Sequence, residues 1–349
     1  MPSGVVYALS AALLFGLGTP LAKLLLVAVH PLMLAALLYL GSGVGLALWR
    51  LLVRDSTQLP RGSEWAWLAA AILAGGVAGP VLLMLGLAGF SASGASLLLN
   101  SEGVFTALLA WFVFRENFDR RIAMGMLAIV CGAVVLAWPG DAGAASGGLA
   151  SAGLIVAACL AWAIDNNLTR KVSLSDAGFI AMTKGLSAGA VNLALALGAG
   201  AGFPAWPVAA QAAMLGFASY GVSLVLFVLA LRHLGTARTG AYFSVAPFAG
   251  ALVSVPLLGE PVTAALAAGG LLMAIGVGLH LRERHAHEHK HAALEHEHEH
   301  VHGADPHHMH AHEPPVPDGV RHRHPHRHAP LRHDHAHFPD AHHRHGHDN

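Results

Sequence analysis

Ionisable and amide side chains stand at a few positions inside otherwise apolar stretches, and these positions are the first candidates for chemistry. Glu102 lies within Asn100–Glu116, NSEGVFTALLAWFVFRE, two residues after the amide of Asn100. An ionised carboxylate is costly in an apolar surrounding, so such a residue is a functional candidate by default. Glu102 could bind a cation or a proton, pair with a charged ligand, or tie two helices together through Lys23 or Lys184.

A second polar cluster lies further along the chain and consists of Asp165, Asn166 and Asn167. Consecutive residues of a helix point in different directions, so these three side chains cannot all face one neighbour. Some must face a cavity or an adjacent helix, and either a binding site or interhelical hydrogen bonding accounts for them. Lys184 could be the counter-ion of Glu102 or of Asp165, or it could extend its ammonium group to an aqueous surface.

Histidines dominate the end of the chain, where 23 of the 26 follow Leu281. They alternate with Glu, Asp, Ala and Pro, a pattern that cannot build a core and predicts a disordered tail over residues 285–349. Neutral imidazole is a common ligand of divalent transition metals, so we expect zinc, nickel or cobalt to bind here. The candidate ligands are His285, His287, His289, His291, His296, His298, His300, His302, His307, His308, His310 and His312. The tail could be functional or only a metal store, a scavenger or a low-complexity appendage.

The elements that carry the candidates inside the chain must be membrane helices. The 349 residues are 55% hydrophobic and 11% charged, whereas about a quarter of a soluble domain is charged. A spanning helix needs about 20 apolar residues, and Tyr220 and Tyr242 lie inside such runs as further candidates for a cavity lining. Ten runs can be cut from the sequence: 4–27, 31–52, 65–88, 92–114, 121–138, 149–170, 177–200, 207–231, 236–258 and 262–281. The fold class is therefore an all-α membrane protein with ten transmembrane helices.

Basic residues predict the orientation of these runs. They follow every even-numbered run, whereas the loops after the odd-numbered runs contain no Lys or Arg. Because Lys and Arg are enriched in cytoplasmic loops, both termini should be cytoplasmic and the protein should lie in the inner membrane. The residues are Arg50, Arg54, Arg61, Arg115, Arg120, Arg121, Arg170, Lys171, Arg232, Arg238, Arg282 and Arg284.

An internal repeat relates the two halves of the apolar region. Asn100–Glu116 aligns with Ser244–Glu260 at an offset of 144 residues, and Phe15–Lys23 aligns with Trp162–Arg170 at 147. Five is an odd number of runs, so the second copy must cross the membrane upside down. Inverted repeats of this kind place a substrate near the midplane, often at broken helices. We expect residues 1–140 and 141–284 to form the two five-helix repeats, and residues 285–349 to form the tail.

The repeat also pairs the polar cluster with a second candidate segment in the first run. The partners of the cluster are Gly18, Thr19 and Pro20. A Gly–Thr–Pro sequence would loosen a helix, and segments loosened at matched positions of two halves are typical of a transport site.

The chain at this point resembles the EamA family of the drug/metabolite transporter superfamily. The resemblance covers residues 4–281 and rests on the repeat together with Pro247 and Gly259–Glu260; the first half departs from it with Gly103 and Arg115. It implies a secondary transporter that works by alternating access, often as an exporter, with diverse substrates. It does not extend to the tail.

The P-loop motif for nucleotide binding does not occur in the sequence. We therefore expect a non-enzyme that is driven by a gradient, has no cofactor in its core, and exports a small metabolite or amino-acid-like solute. Its expected partners are that solute, the lipid bilayer and protons as coupling ion, without nucleic acid; a homodimer is compatible with the pattern. The alternatives are a nickel, cobalt or zinc exporter and a membrane-tethered metal sensor or buffer.

Overall fold

The computed structural model describes residues 3–53, 59–60, 62–114, 120–138, 148–172, 175–281, 286–291, 294–301, 321–328 and 331–336. The chain divides into two compact units. The main part of the first is Met1–Glu283, which is helical, and the main part of the second is Arg284–His337, which contains strands.

Helices fill the described part of the first unit, because long apolar runs in lipid must satisfy their backbone polar groups internally. In its first half they are α1 Ser3–Leu25, α2 Pro31–Val53, α3 Glu64–Ala71, a π-helical segment Ile72–Ala78, α4 Gly79–Ala88, α5 Ala92–Leu98, α6 Ser101–Phe114 and α7 Arg120–Ala137.

The second half contains α8 Gly148–Thr169, a 3-10 turn Arg170–Val172, α9 Ala177–Gly198, α10 Trp206–Gly216, a second π-helical segment Phe217–Val222, α11 Ser223–Phe243, α12 Ala246–Leu258 and α13 Ala264–Leu281.

Within the described residues, six helical stretches are long and apolar enough to cross a membrane: Gly4–Leu25, Pro31–Leu52, Glu64–Ala88, Gly148–Thr169, Ala177–Gly198 and Trp206–Ala230. Shorter apolar helices occupy Ala123–Ala137, Ala246–Leu258 and Ala264–Leu279. Large apolar side chains such as Leu13, Leu48 and Leu271 are exposed on the outside of the bundle, where a lipid environment would cover them. These features identify a multi-pass membrane protein.

Two helix boundaries differ from the sequence prediction. The fourth run is not one helix, because it is interrupted at Leu99–Asn100 between α5 and α6. The expected loop between the eighth and ninth runs does not form; α11 continues to Phe243, and the interruption falls at Ser244–Val245. Residues 232–235 contain no proline to stop the helix, whereas Pro247 in the first turn of α12 has no N–H to continue the ladder.

The loosening expected at Gly18–Pro20 is also wrong. Helix α1 is continuous from Ser3 to Leu25 with Pro20 inside it, and α8 is continuous through Asp165. A proline is tolerated inside membrane helices because local adjustments and neighbours satisfy the freed carbonyl. The irregular segments at matched positions are instead the two π-helical segments and the two interruptions.

Glycines let the helices approach closely. On α2, a Cβ atom added to Gly41 would collide with the backbone of Ala213 on α10, and one added to Gly43 would collide with the backbone of Leu186 on α9. Small residues at such contacts are the usual means of packing helices in membranes. Helix α2 thus sits against both α9 and α10, next to the residues described below.

The second unit has regular backbone structure where the sequence predicts disorder. Strand β1 Ala286–His291 pairs antiparallel with β4 Leu331–Ala336, and β2 Leu294–Val301 pairs antiparallel with β3 Arg321–His328. Alternation of residue types with a period of two is also a strand pattern, whereas the predicted disorder rests only on the lack of core-forming residues.

Candidate functional site

A cavity lies between the helices of the first unit, and its empty space of about 670 Å³ includes adjoining open solvent. Side chains from α1, α2, α6, α8, α9, α11 and the second π-helical segment surround it. Three charged side chains and several aromatic rings face it. The lining residues are Phe15, Tyr39, Ser42, Glu102, Trp162, Asp165, Asn166, Ala181, Lys184, Gly185, Ser219, Tyr220, Ser223, Leu224, Phe227 and Phe243.

Asp165 and Lys184 form a buried ion pair on one side of the cavity. Their residues are only 6% and 4% exposed. The Lys184 Nζ donates to Asp165 Oδ1 at 2.6 Å and Oδ2 at 2.7 Å, and to the Thr169 hydroxyl at 3.2 Å. Thr169 in turn donates to Asp165 Oδ1 at 2.8 Å. The three N–H groups of the ammonium therefore match three acceptors, and the pair is neutral as a whole.

Glu102 also lines the cavity and is only partly buried. It lies in the first turn of α6, directly after the interruption at Leu99–Asn100, a position where the helix dipole favours acidic residues. The Asn166 amide Nδ2 donates to Glu102 Oε1 at 2.6 Å. Sequence reasoning identified both residues, and the structure brings them into contact.

Aromatic rings form the remaining wall. Phe15 is at its centre, with ring centroids 6.0 Å from Trp162, 5.8 Å from Tyr220 and 5.4 Å from Phe243. Tyr39 contacts Tyr220 at 5.4 Å. These edge-to-face and tilted contacts fix the rings relative to one another.

The first π-helical segment holds two of these aromatic residues in place. The Tyr39 hydroxyl and the Trp162 indole N–H both donate to the carbonyl of Gly75, at 2.8 Å and 2.9 Å. Asn192 Nδ2 donates to the next carbonyl, that of Gly76, at 3.0 Å. A π-helical turn leaves carbonyl groups available for such side-chain donors, and it commonly occurs near functional sites.

Several residues predicted for the site lie outside the lining. Asn100 is buried, with its amide Nδ2 donating to Leu97 O at 3.0 Å. Asn167 donates to Ala163 O within its own helix at 2.8 Å. The segment Gly18, Thr19 and Pro20 packs between helices, with Thr19 buried and the Cα of Gly18 close to the side chain of Ser219.

Sequence reasoning missed most of the aromatic wall, since rings in apolar runs usually belong to a core. Tyr220 was a candidate and lines the cavity, whereas Tyr242 is not part of the lining. A usable signal was present, because Phe15 and Trp162 align at the repeat offset of 147 residues and both face the cavity.

Lys23 and Glu260 lie outside the cavity lining and contact backbone groups at helix ends. Lys23 Nζ donates to the carbonyls of Leu87 at 2.6 Å and Phe90 at 2.9 Å, which end α4 and follow it. Glu260 accepts from the backbone N–H groups of Ala92 at 2.6 Å and Ser93 at 2.8 Å, which begin α5. Both side chains therefore form hydrogen bonds with backbone groups that have no partner within the helix at its ends.

The histidines of the tail have no described side chains. His285, His302, His307, His308, His310 and His312 lie outside the described residues, and the other candidates fall in β1 and β2. Among the described residues, no cluster of three or more His, Cys, Asp or Glu side chains could hold a metal ion.

Comparison with known proteins gives consistent results. The model of the EamA-like transporter family matches residues 2–138. A protein of Methanothermobacter thermautotrophicus, named an uncharacterized transporter, is 29% identical over 292 residues, which is 78% of this chain and 84% of that protein.

Two further similarities cover a part of the chain and its fold. A probable 4-amino-4-deoxy-L-arabinose-phosphoundecaprenol flippase subunit ArnE of Pseudomonas paraeruginosa is 36% identical over 110 residues, 30% of this chain and 93% of the relative. A crystal structure of another protein superposes with a TM-score of 0.61 at 19% identity, covering 80% of this chain and 98% of that one.

Proposed function

Because this chain belongs to the EamA family of the drug/metabolite transporter superfamily and is therefore a membrane transporter, we propose that it is a secondary-active exporter of a small organic solute. The solute is a metabolite or amino-acid-like molecule, and protons are the coupling ion. The transport cycle alternates access to the central cavity between the two sides of the membrane.

The observation that carries this proposal is Glu102 at the edge of the central cavity. Its carboxylate is partly buried and is held by the Asn166 amide at 2.6 Å. A carboxylate inside a membrane protein that faces a cavity is typical of ion and proton pathways. Glu102 therefore takes up either the coupling proton or the solute, and Asn166 orients it.

The proposal includes an architecture of two inverted five-helix repeats over residues 1–140 and 141–284. The π-helical segments begin at Ile72 and Phe217, and the interruptions fall at Leu99–Asn100 and Ser244–Val245, so both kinds of irregularity recur at about the repeat offset. A contact recurs as well. Gly75 on the first π-helical segment packs against Asp165 of α8, and Ser219 on the second packs against Gly18 of α1. These correspondences support the proposed repeat.

We further propose that the protein lies in the inner membrane with both termini in the cytoplasm, as the distribution of Lys and Arg indicates. The histidine tail would then be cytoplasmic and would bind zinc, nickel or cobalt at modest affinity through its imidazoles.

A transition-metal exporter is the second candidate, favoured by the 23 histidines after Leu281. The cavity fits it less well, because Asp165 is neutralised by Lys184 and Glu102 is the remaining ionisable oxygen ligand in the described lining. A membrane-tethered metal sensor is the third candidate. The central cavity argues against it, because a sensor needs no solute cavity.

Inside-out vesicles distinguish these candidates. The full-length protein is compared with a form truncated after Arg284, and both are tested for uptake of radiolabelled nickel, cobalt and zinc. The same vesicles are tested for proton movement, read by a pH-sensitive dye, on addition of amines, amino acids and other metabolites. We expect organic solutes to drive proton movement in both forms, and the truncated form to take up no more metal than empty vesicles.

Metal uptake by the truncated form would overturn the proposal in favour of the metal exporter, with the tail as a collector. If no solute moves protons and no metal moves, although the tail binds metal, the sensor interpretation holds instead.

A further inference from the structure

The hydrogen-bonding state of the cavity narrows the class of solute. We propose that the solute is an organic monocation, an amine with an aromatic or apolar part and without a free carboxylate. This inference rests on the proposed function and replaces its broad solute class with a narrower one.

The described lining residues offer no free cation to a carboxylate. Lys184 is the positively charged residue among the described lining residues, and its three N–H groups already contact Asp165 Oδ1, Asp165 Oδ2 and Thr169 Oγ1. A carboxylate of the solute would have to break this buried pair, and separating a buried pair is strongly unfavourable. An amino acid therefore lacks a partner for its acidic end.

Two further donors of the lining are already engaged, because the hydroxyl of Tyr39 and the indole N–H of Trp162 both donate to the Gly75 carbonyl. Neither donor is available to a carboxylate of the solute.

Glu102 supplies the charge that a cation needs. The lining contains two carboxylates and one ammonium group, so after Asp165 and Lys184 neutralise each other, one negative charge is left, on Glu102. The Asn166 amide donates through Nδ2 to Glu102, which leaves its Oδ1 as an acceptor beside that carboxylate. Together, the carboxylate and the amide oxygen can accept two N–H groups of one ammonium.

The aromatic wall completes a site for a cation with an apolar part. The ring centroid of Phe15 lies 5.4 to 6.0 Å from the ring centroids of Trp162, Tyr220 and Phe243. Aromatic faces attract cations and also bury apolar groups.

Three compounds that share one phenyl ring and a short chain test the inference. Phenethylamine carries only the ammonium group, phenylalanine carries the ammonium and the carboxylate, and 3-phenylpropionate carries only the carboxylate. Equilibrium binding of each radiolabelled compound to the detergent-solubilised full-length protein is measured first, followed by counterflow uptake into proteoliposomes.

Glu102→Gln is the diagnostic variant, because it removes the charge and nearly preserves the shape. Glu64→Gln is the matched control, since Glu64 begins α3 and is not part of the cavity lining. We expect phenethylamine to bind more tightly than either acid, and Glu102→Gln to weaken it by about tenfold or more, as loss of a buried charge partner does. Glu64→Gln should bind like the wild-type protein.

Preferential binding of phenylalanine or of 3-phenylpropionate would overturn the inference while leaving the proposed exporter intact. Phenethylamine binding that is equal in the wild-type protein and in Glu102→Gln, or absent from both, would overturn it as well. If phenethylamine binds in a Glu102-dependent way but is not taken up by proteoliposomes, the amine site stands and the proposed transport function falls.

Discussion

At the scale of single residues, the ion pair of Asp165 and Lys184 distinguishes a structural role from a binding role. The sequence alone did not tell which charged residue has which role. Both residues are buried, and their charges cancel within a closed set of hydrogen bonds that includes Thr169. The pair therefore stabilises the contact of α8 with α9, and Glu102 remains as the charge that can exchange partners. This division explains why three charged groups can share one apolar cavity.

A pair of substitutions tests the structural role of the ion pair. Lys184→Met leaves the Asp165 carboxylate buried without its counter-ion, which should cost about 3–5 kcal/mol of stability. The double variant Lys184→Met with Asp165→Asn removes both charges and should recover most of that loss. Thermal unfolding in detergent provides the measurement. Equal destabilisation of the single and double variants would show that the two charges do not depend on each other.

The charged residues that line the cavity stand out in the sequence, whereas most of its aromatic residues do not. Glu102, Asp165 and Lys184 are conspicuous because charge inside an apolar run is costly. Phe15 and Phe243 are not conspicuous, since a phenylalanine is equally at home against lipid, in a core or around a cavity. Only the packing of the helices decides among these environments.

At the scale of helices, the location of the long apolar stretches was predictable, whereas their irregularities were not. Hydropathy averages over many residues and so locates apolar stretches. The interruption at Leu99–Asn100 and the π-helical turn at Ile72–Ala78 depend on individual hydrogen bonds that side chains complete, such as Asn100 to Leu97 O. Glu102 was accordingly expected deep inside a helix and instead lies in the first turn of one.

Close helix contacts give a prediction at this scale. Gly41→Ala on α2 should destabilise the protein by about 1–3 kcal/mol, because the new methyl group meets the backbone of Ala213 on α10 and cannot rotate away. Gly153→Ala on α8 is the matched control, since nothing lies within 4 Å of its added Cβ. It should be neutral or slightly stabilising, as glycine lowers helix propensity. Thermal unfolding of both variants in detergent gives the comparison, and similar melting temperatures would contradict the packing argument.

At the scale of the whole molecule, the positions of the two halves that align in the sequence differ in charge. Gly18 stands at the position equivalent to Asp165, and Ala246 at the position equivalent to Glu102. At each of these two pairs of aligned positions, only one residue carries a carboxylate.

The central claim is that Glu102 alone is shared between the coupling proton and the solute. Its most direct test is proton release when phenethylamine binds to the full-length protein in weakly buffered detergent, followed with a pH-sensitive dye from mildly acidic to mildly alkaline conditions. We predict that binding releases protons from the wild-type protein at the acidic end of this range and that Glu102→Gln releases none. Release of equal numbers of protons by the variant, or no release by the wild-type protein at any pH, would contradict the claim.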